Sequence, residues 1–251
     1  VENFFYFFYG GVMALEVLTR VHLGTAVENP AVWVDASDQI HAALADGIPR
    51  SISAIITDLG GRLILNRTVV HPPTGANNYW PVFGNTGLIT YNTDANGLLN
   101  GLSVKVNTSG VVRGPGRFDS TPSHHPNGVA LELRDGRLFA LFQGLVGGNW
   151  KIDSRELSPL DLAGTGPLYP VVDSPGTDSE LSSTISGDVV GTCYHVDFSQ
   201  IRTETRNASA WTQISNAPVP PSSGTQSFCS MAAVSSGFKT SYQVLGGGNH
   251  S

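Results

Sequence analysis

Asp119, His124 and His125 fall within seven residues of one another in the stretch FDSTPSHHPNG. Carboxylates and imidazoles are what an acid–base centre or a metal site requires, provided they converge. Neighbouring residues of an extended strand point to opposite faces, so His124 and His125 do not readily face one ion. The stretch also closes on Asn127–Gly128, and a polar turn accounts for it without any chemistry. Serine and histidine recur elsewhere, yet no Gly-x-Ser-x-Gly elbow occurs, and neither Cys193 nor Cys229 has a general base beside it. GLVGGNW and VLGGGNH are glycine-rich, but no helical pattern follows either one to offer N-terminal amides to a phosphate. These residues therefore define no catalytic group, no metal site and no cofactor.

Two aromatic groups remain. Tyr79, Trp80 and Phe83 lie in GANNYWPVFGN, a segment able to stack on a sugar, dock a partner or cover the open end of a sandwich. The other group is Phe4, Phe5, Tyr6, Phe7, Phe8 and Tyr9, six consecutive aromatics. Only acidic Glu2 precedes them, so the basic start of a signal peptide is missing. Gly10, Gly11 and Glu16 interrupt the run well short of the roughly 20 apolar residues of a membrane span. Burying one Phe side chain is worth about 1.5–3 kcal/mol, so the run is expected to be covered. In a strand its side chains would alternate between faces, and covering both requires contacts with another layer or another chain. The run reads as a buried structural element or an assembly surface, on a chain expected to begin at a cleavage point or another boundary.

Composition narrows the class. Of 251 residues, 14% are charged, against about 25% in an average globular chain. There are 29 glycines and 15 prolines, which favours many short strands joined by turns. The net charge of −6, with Arg113 and Arg117 the nearest approach to a basic cluster, excludes nucleic-acid binding through a basic face of this region. The two cysteines have no metal-ligand spacing; a disulfide and two free thiols both remain open. The four Asn-x-Ser/Thr sequons, at Asn66, Asn107, Asn207 and Asn249, are no more than such a composition supplies by chance.

Strand patterns recur along the chain: VMALEVLTRV, SISAIIT, RLILNRTVV, GLITY, LSVKV, DVVGTCYHVDF, SFCSMAAV and FKTSYQVL. DASDQIHAALADG reads as a short helix capped by Asp35 or Ser37 and ended by Gly47 and Pro49. VALELRDGRLFALFQG reads as a hairpin turning at Asp135–Gly136, with Leu131, Leu133, Leu138 and Ala140 in its strands. Residues 156–187, with Pro159, Pro167, Pro170 and Pro175, read as a long irregular connection, within an inserted loop region spanning about 95–187. No fixed repeat of 20–50 residues emerges, which argues against a propeller or solenoid. The expected fold is all-β: a single jelly-roll-like antiparallel β-sandwich over residues 1–251 with long loops and one or two short helices.

FFYFFYGGVMALEV resembles the aromatic run that leads into a strand in coat proteins of picorna-like viruses of the insect and marine groups, with Tyr9 where Arg is usual. AAVSSGFKTSYQVLGGG is similar to their alternating final strand, with Ser236 and Gly237 in place of an acidic pair. The resemblance implies a jelly-roll capsid protein of a small icosahedral RNA virus, processed from a polyprotein. It would reside in the virion, partner other capsid chains and have no enzymatic activity. The alternatives are a secreted glycan-binding β-sandwich using Tyr79, Trp80 and Phe83, and an unrecognised hydrolase.

Overall fold

The computed structural model describes residues 28–47, 50–72, 78–95, 98–119, 128–146, 149–172, 178–196, 200–219 and 225–245. The first of its antiparallel sheets contains β1 (Glu28–Val34), β2 (Gln39–Asp46), β3 (Ser51–Asp58) and β4 (Leu63–His71). The second contains β5 (Asn78–Phe83), β6 (Leu88–Ala95), β7 (Leu98–Asn107) and β8 (Gly110–Arg117). The third contains β9 (Gly128–Glu132), β10 (Leu138–Val146), β11 (Asn149–Leu157) and β12 (Gly164–Val172). The fourth contains β13 (Asp178–Ser186), β14 (Val189–Val196), β15 (Gln200–Asn207) and β16 (Gln213–Pro218). A final hairpin pairs β17 (Thr225–Val234) with β18 (Gly237–Leu245).

Every strand pairs only with its neighbours in sequence, and the first strands of successive sheets adjoin: β1 with β5, β5 with β9, β9 with β13, β13 with β17. This is a β-propeller of small sheets. The expected jelly roll is wrong, because a jelly roll pairs strands distant in sequence across two large sheets.

The repeat that seemed absent is present in the backbone. β1, β5, β9 and β13 begin at residues 28, 78, 128 and 178, a pitch of fifty residues. The turn between the first two strands of each unit carries a residue of positive φ: Asp38, Gly87, Gly136, Gly187 and Gly237. The turn between the third and fourth strands does the same at Gly61, Gly110, Leu162 and Trp211. Asp38, Leu162 and Trp211 stand where other units use glycine, so the period is hidden in the letters.

Two other expectations fail for local reasons. DASDQIHAALADG is a turn followed by β2, not a helix. The Asp35 carboxylate accepts the backbone N–H groups of Ser37 and Gln39, which fixes the turn. β2 is then buried along Ile40–Asp46; Ala43 and Ala45 pack against the second sheet, and Ala42 clusters with Leu44 and Ile55 on the other face. Residues 156–187 are not a loop either, since they hold the end of β11 and all of β12 and β13. Pro167 and Pro170 lie on β12, the edge strand of its sheet, where a missing N–H breaks no ladder. The proposed insertion at 95–187 likewise contains strands β7 to β13.

The hairpin at Asp135–Gly136 is present, with Leu131, Leu138 and Ala140 in its strands. Its loop is longer than a two-residue turn. Leu133 belongs to it, bonding Arg137 O through its N–H, and of the central pair only Gly136 has positive φ (84°).

The core is a series of inter-sheet layers. Ala43, Ile52, Val70, Tyr91 and Val104 fill the first, and Phe118, Ala130, Leu138 and Phe142 the second. Leu131, Phe139, Ile152, Val190 and Tyr194 fill the third, and Cys193, Ile201 and Met231 the fourth. Backbones approach closely where the layers are thin. A Cβ on Gly84 would lie 1.6 Å from the Ala130 carbonyl oxygen, across the second and third sheets. A Cβ on Gly136 meets nothing within 4 Å, so there only the positive φ opposes a side chain. Gly136→Ala should therefore cost about 1–2 kcal/mol, whereas Gly84→Ala must force neighbouring sheets away from each other and should cost more. Urea unfolding of both variants checks the order; equal midpoints would contradict the packing described.

Candidate active site

Antiparallel meanders place alternate connections at opposite ends. The tight turns at 35–38, 59–62, 84–87 and 133–137 lie on one face of the propeller; the β2–β3 type hairpins and the sheet-to-sheet connections lie on the other. The turn face is closed chemically. Asp35 accepts His41 Nε2 at 2.9 Å in addition to two backbone amides. Burial pushes the Asp35 carboxyl up, but the bonds from His41, Gln39 and Ser37 outweigh it and hold it below its ordinary value. Trp33 covers the imidazole, with ring centroids 4.6 Å apart. This dyad is a satisfied structural pair.

The connection face is different. β8 delivers Phe118 and Asp119 into the crevice between the second and third sheets, where the Phe118 N–H bonds Gly101 O and its ring packs on Phe142 at 5.2 Å. Asp119 is buried; Oδ1 accepts Arg117 Nε at 2.5 Å, while Oδ2 has no hydrogen-bond partner among the described residues. Phe142 pairs in register with Asp153 on one side and with Gly128, the first residue of β9, on the other. Asp153 therefore sits level with the start of β9, on the face of the third sheet that Phe142 presents to Phe118. It is also buried and makes no ion pair among the described residues. Two carboxyls thus border one crevice.

Their environments differ in a useful way. Burial raises the Asp119 carboxyl, and the Arg117 guanidinium pulls it back. Burial raises Asp153 with no compensating group. Both carboxyls stay above their ordinary value on balance, and of the two only Asp119 has a guanidinium beside it.

The structure divides the residues singled out in the sequence. Tyr79 and Trp80 sit together near the connection face (ring centroids 5.5 Å), with the Arg50 guanidinium 5.0 Å from the Tyr79 ring. Phe83 lies at the other end of β5, against Trp33 and His41. Asp119 is in the crevice, while His124, His125 and the run Phe4–Tyr9 lie outside the described residues. Cys193 and Cys229 form no disulfide and lie in the layer between the fourth sheet and the final hairpin. Asp153 was missed because KIDSREL carries no motif; its significance comes from what surrounds it.

Another buried acid sits beside a contact between sheets. Glu204 lies 2.5 Å from Arg206 Nε without hydrogen-bond alignment, and Arg206 Nη2 donates to Val171 O of the third sheet. Asn216 Nδ2 bonds Tyr194 OH at 3.0 Å beside it. Burial pushes the Glu204 carboxyl up to about 7 against the pull of Arg206.

No protein-family model matches the chain, and no curated protein does. Solved structures do. The chain is similar in fold to an alpha-L-arabinofuranosidase from Lactobacillus brevis (13% identity, 86% of this chain and 82% of that one, TM-score 0.56). It is similar to a thermostable family-43 glycoside hydrolase (13%, 89% and 85%, 0.57) and to an endo-arabinase from Bacteroides thetaiotaomicron (12%, 90% and 92%, 0.53). The chain has the propeller fold of those structures. The coat-protein resemblance is thereby overturned, and with it the virion location, the capsid partners and the expectation of a non-enzyme. Of the two segments that suggested it, residues 232–245 belong to the final hairpin and residues 4–17 lie outside the described residues.

The Glu204 assignment makes a stability prediction. Between pH 4.5 and 7 the unfolded chain ionises this group while the folded chain keeps its proton, so stability falls as pH rises through that window. The loss attributable to Glu204 is roughly 3 kcal/mol. In denaturant titrations at pH 4.5 and 8, Glu204→Gln should be less pH-sensitive than the parent. An unchanged pH difference would refute the assignment.

Proposed function

We propose that the protein is a hydrolase of glycosidic bonds, working from the connection face at the crevice between the second and third sheets. The observation that carries this reading is the Asp119–Asp153 pair. Glycoside hydrolysis uses two carboxyls, one protonated to donate to the leaving oxygen and one ionised to act as base or nucleophile. Asp153, raised by burial with no cation beside it, takes the first role; Asp119, also raised on balance but bonded by the Arg117 guanidinium, takes the second. The fold supports the reading, since similar solved structures are described as arabinofuranosidase, arabinase and galactanase.

The test is turnover of 4-nitrophenyl α-L-arabinofuranoside, β-D-xyloside and β-D-galactoside. Asp119→Asn and Asp153→Asn should each lower kcat on the accepted substrate by at least about 100-fold, the usual scale for a general acid or base, with little change in melting temperature. Asp46→Asn is the control. That carboxylate is already held by Ser51 Oγ (2.8 Å) and by the guanidinium of Arg67, so its loss should affect stability rather than kcat. Absence of turnover on all three substrates and on arabinan, or full activity in both crevice variants, would contradict the proposal.

A further inference from the structure

The crevice between the first and second sheets holds a second set of groups on the connection face. Asn78, the first residue of β5, pairs in register with Thr93, and Thr93 pairs with Asn100 of β7. The three side chains therefore stand in a row on one face of the second sheet. Tyr91, two residues before Thr93, shares that face and packs against Ala43, Ile52 and Val70 of the first sheet. His71, at the end of β4, faces the row from the first sheet, its ring centroid 5.2 Å from that of Tyr91. Below this polar row the layer is apolar.

The row is under-bonded. His71 Nδ1, Asn78 Oδ1, Asn100 Oδ1 and Tyr91 OH are all buried without a hydrogen-bond partner among the described residues. Asn78 Nδ2 donates to Arg50 O at 2.8 Å. The Asn78 amide lies near enough to His71 to favour its charged form, though without the geometry of a formed hydrogen bond. Burial lowers His71 more than Asn78 raises it, so the imidazole is neutral at pH 7, and burial pushes the Tyr91 phenol up. A buried polar atom left unpaired is costly, and four in one place are a demand for an occupant. His71 and Asn100 keep partial exposure, so the group opens outward.

The chemistry of the occupant follows from the groups. The row offers carbonyl oxygens, a phenol and a neutral imidazole, and no carboxylate. A hard divalent cation would lack the acidic ligands it requires, and an anion would find no cation in the row. Hydroxyl groups, which both donate and accept, satisfy all four atoms. Tyr79 and Trp80 stand close by in sequence as aromatic surfaces for the apolar faces of a ring. We propose that His71, Asn78, Tyr91 and Asn100 form a binding site for a neutral polyhydroxylated ring, a sugar residue held at a crevice separate from Asp119 and Asp153. The hydrolase reading enters only in the choice of probe.

The experiment is saturation-transfer NMR and calorimetric titration of the full chain with L-arabinose, D-xylose and D-galactose. One of them should bind at millimolar concentration or below, and its addition should shift the His71 imidazole resonances. Tyr91→Phe, which keeps the ring and removes the hydroxyl, should raise Kd at least tenfold, as should Asn78→Leu. Turnover is not read in this experiment, and Asp135→Asn on the turn face should leave binding unchanged, so a failure of catalysis and a failure of this site read out separately. No binding by any probe would mean that water alone fills the row, and the proposal would be wrong. Binding that is indifferent to Tyr91→Phe, or that leaves His71 unmoved, would place the sugar elsewhere and also overturn it.

Discussion

Sheets in this protein stabilise one another face to face, and that constraint dictates the rest. A strand in the middle of such a stack has no solvent face, so alternation of apolar and polar residues gives way to continuous burial. Ser51–Thr57 and Ile40–Asp46 are buried throughout, and the stack tolerates this because alanine, serine and glycine occupy the narrow places. Only the outermost strands, β4, β8, β12 and β16, meet solvent along an edge. They carry the exposed apolar residues Leu63, Val69, Val112 and Ile214, and the prolines Pro115, Pro167, Pro170 and Pro218.

The same constraint creates the chemistry. Where the chain leaves an outer strand and crosses to the next sheet, it drops a side chain into the crevice between them. Phe118 does this between the second and third sheets, and His71 does it between the first and second. Polar groups carried into these crevices lose water without always gaining a partner. Asp119 Oδ2 and the row around Tyr91 are two outcomes of one architectural step. At the turn face the chain never leaves its sheet, and Asp35 and Asn85 use their polar atoms on backbone amides and carbonyls instead.

Much of the local structure was legible in the sequence. The strands SISAIIT, RLILNRTVV, DVVGTCYHVDF and FKTSYQVL are where β-branched and aromatic residues between turn formers indicated. The arrangement was not legible, for physical reasons. A repeat held by backbone φ needs no particular residue, so Leu162 and Trp211 conceal a turn that Gly61 and Gly110 advertise. The alanines of β2 suit a helix and a thin inter-sheet layer equally well, and eight residues are too few for periodicity to decide. Asp119 was noticed, but in the company of His124 and His125, because sequence shows neighbours along the chain. Its partner in the crevice, Asp153, comes from another sheet.

The central claim is that the connection face is the working face and the turn face is scaffold. Hydrogen–deuterium exchange of the full chain, with and without a saturating arabino-oligosaccharide, tests it most directly. The account predicts added protection in peptides covering 71–79, 91–100, 117–119 and 149–153, and none in the turns at 35–38, 84–87 and 133–137. Protection confined to those turns, or absent from the whole chain while the sugar is bound, would contradict it.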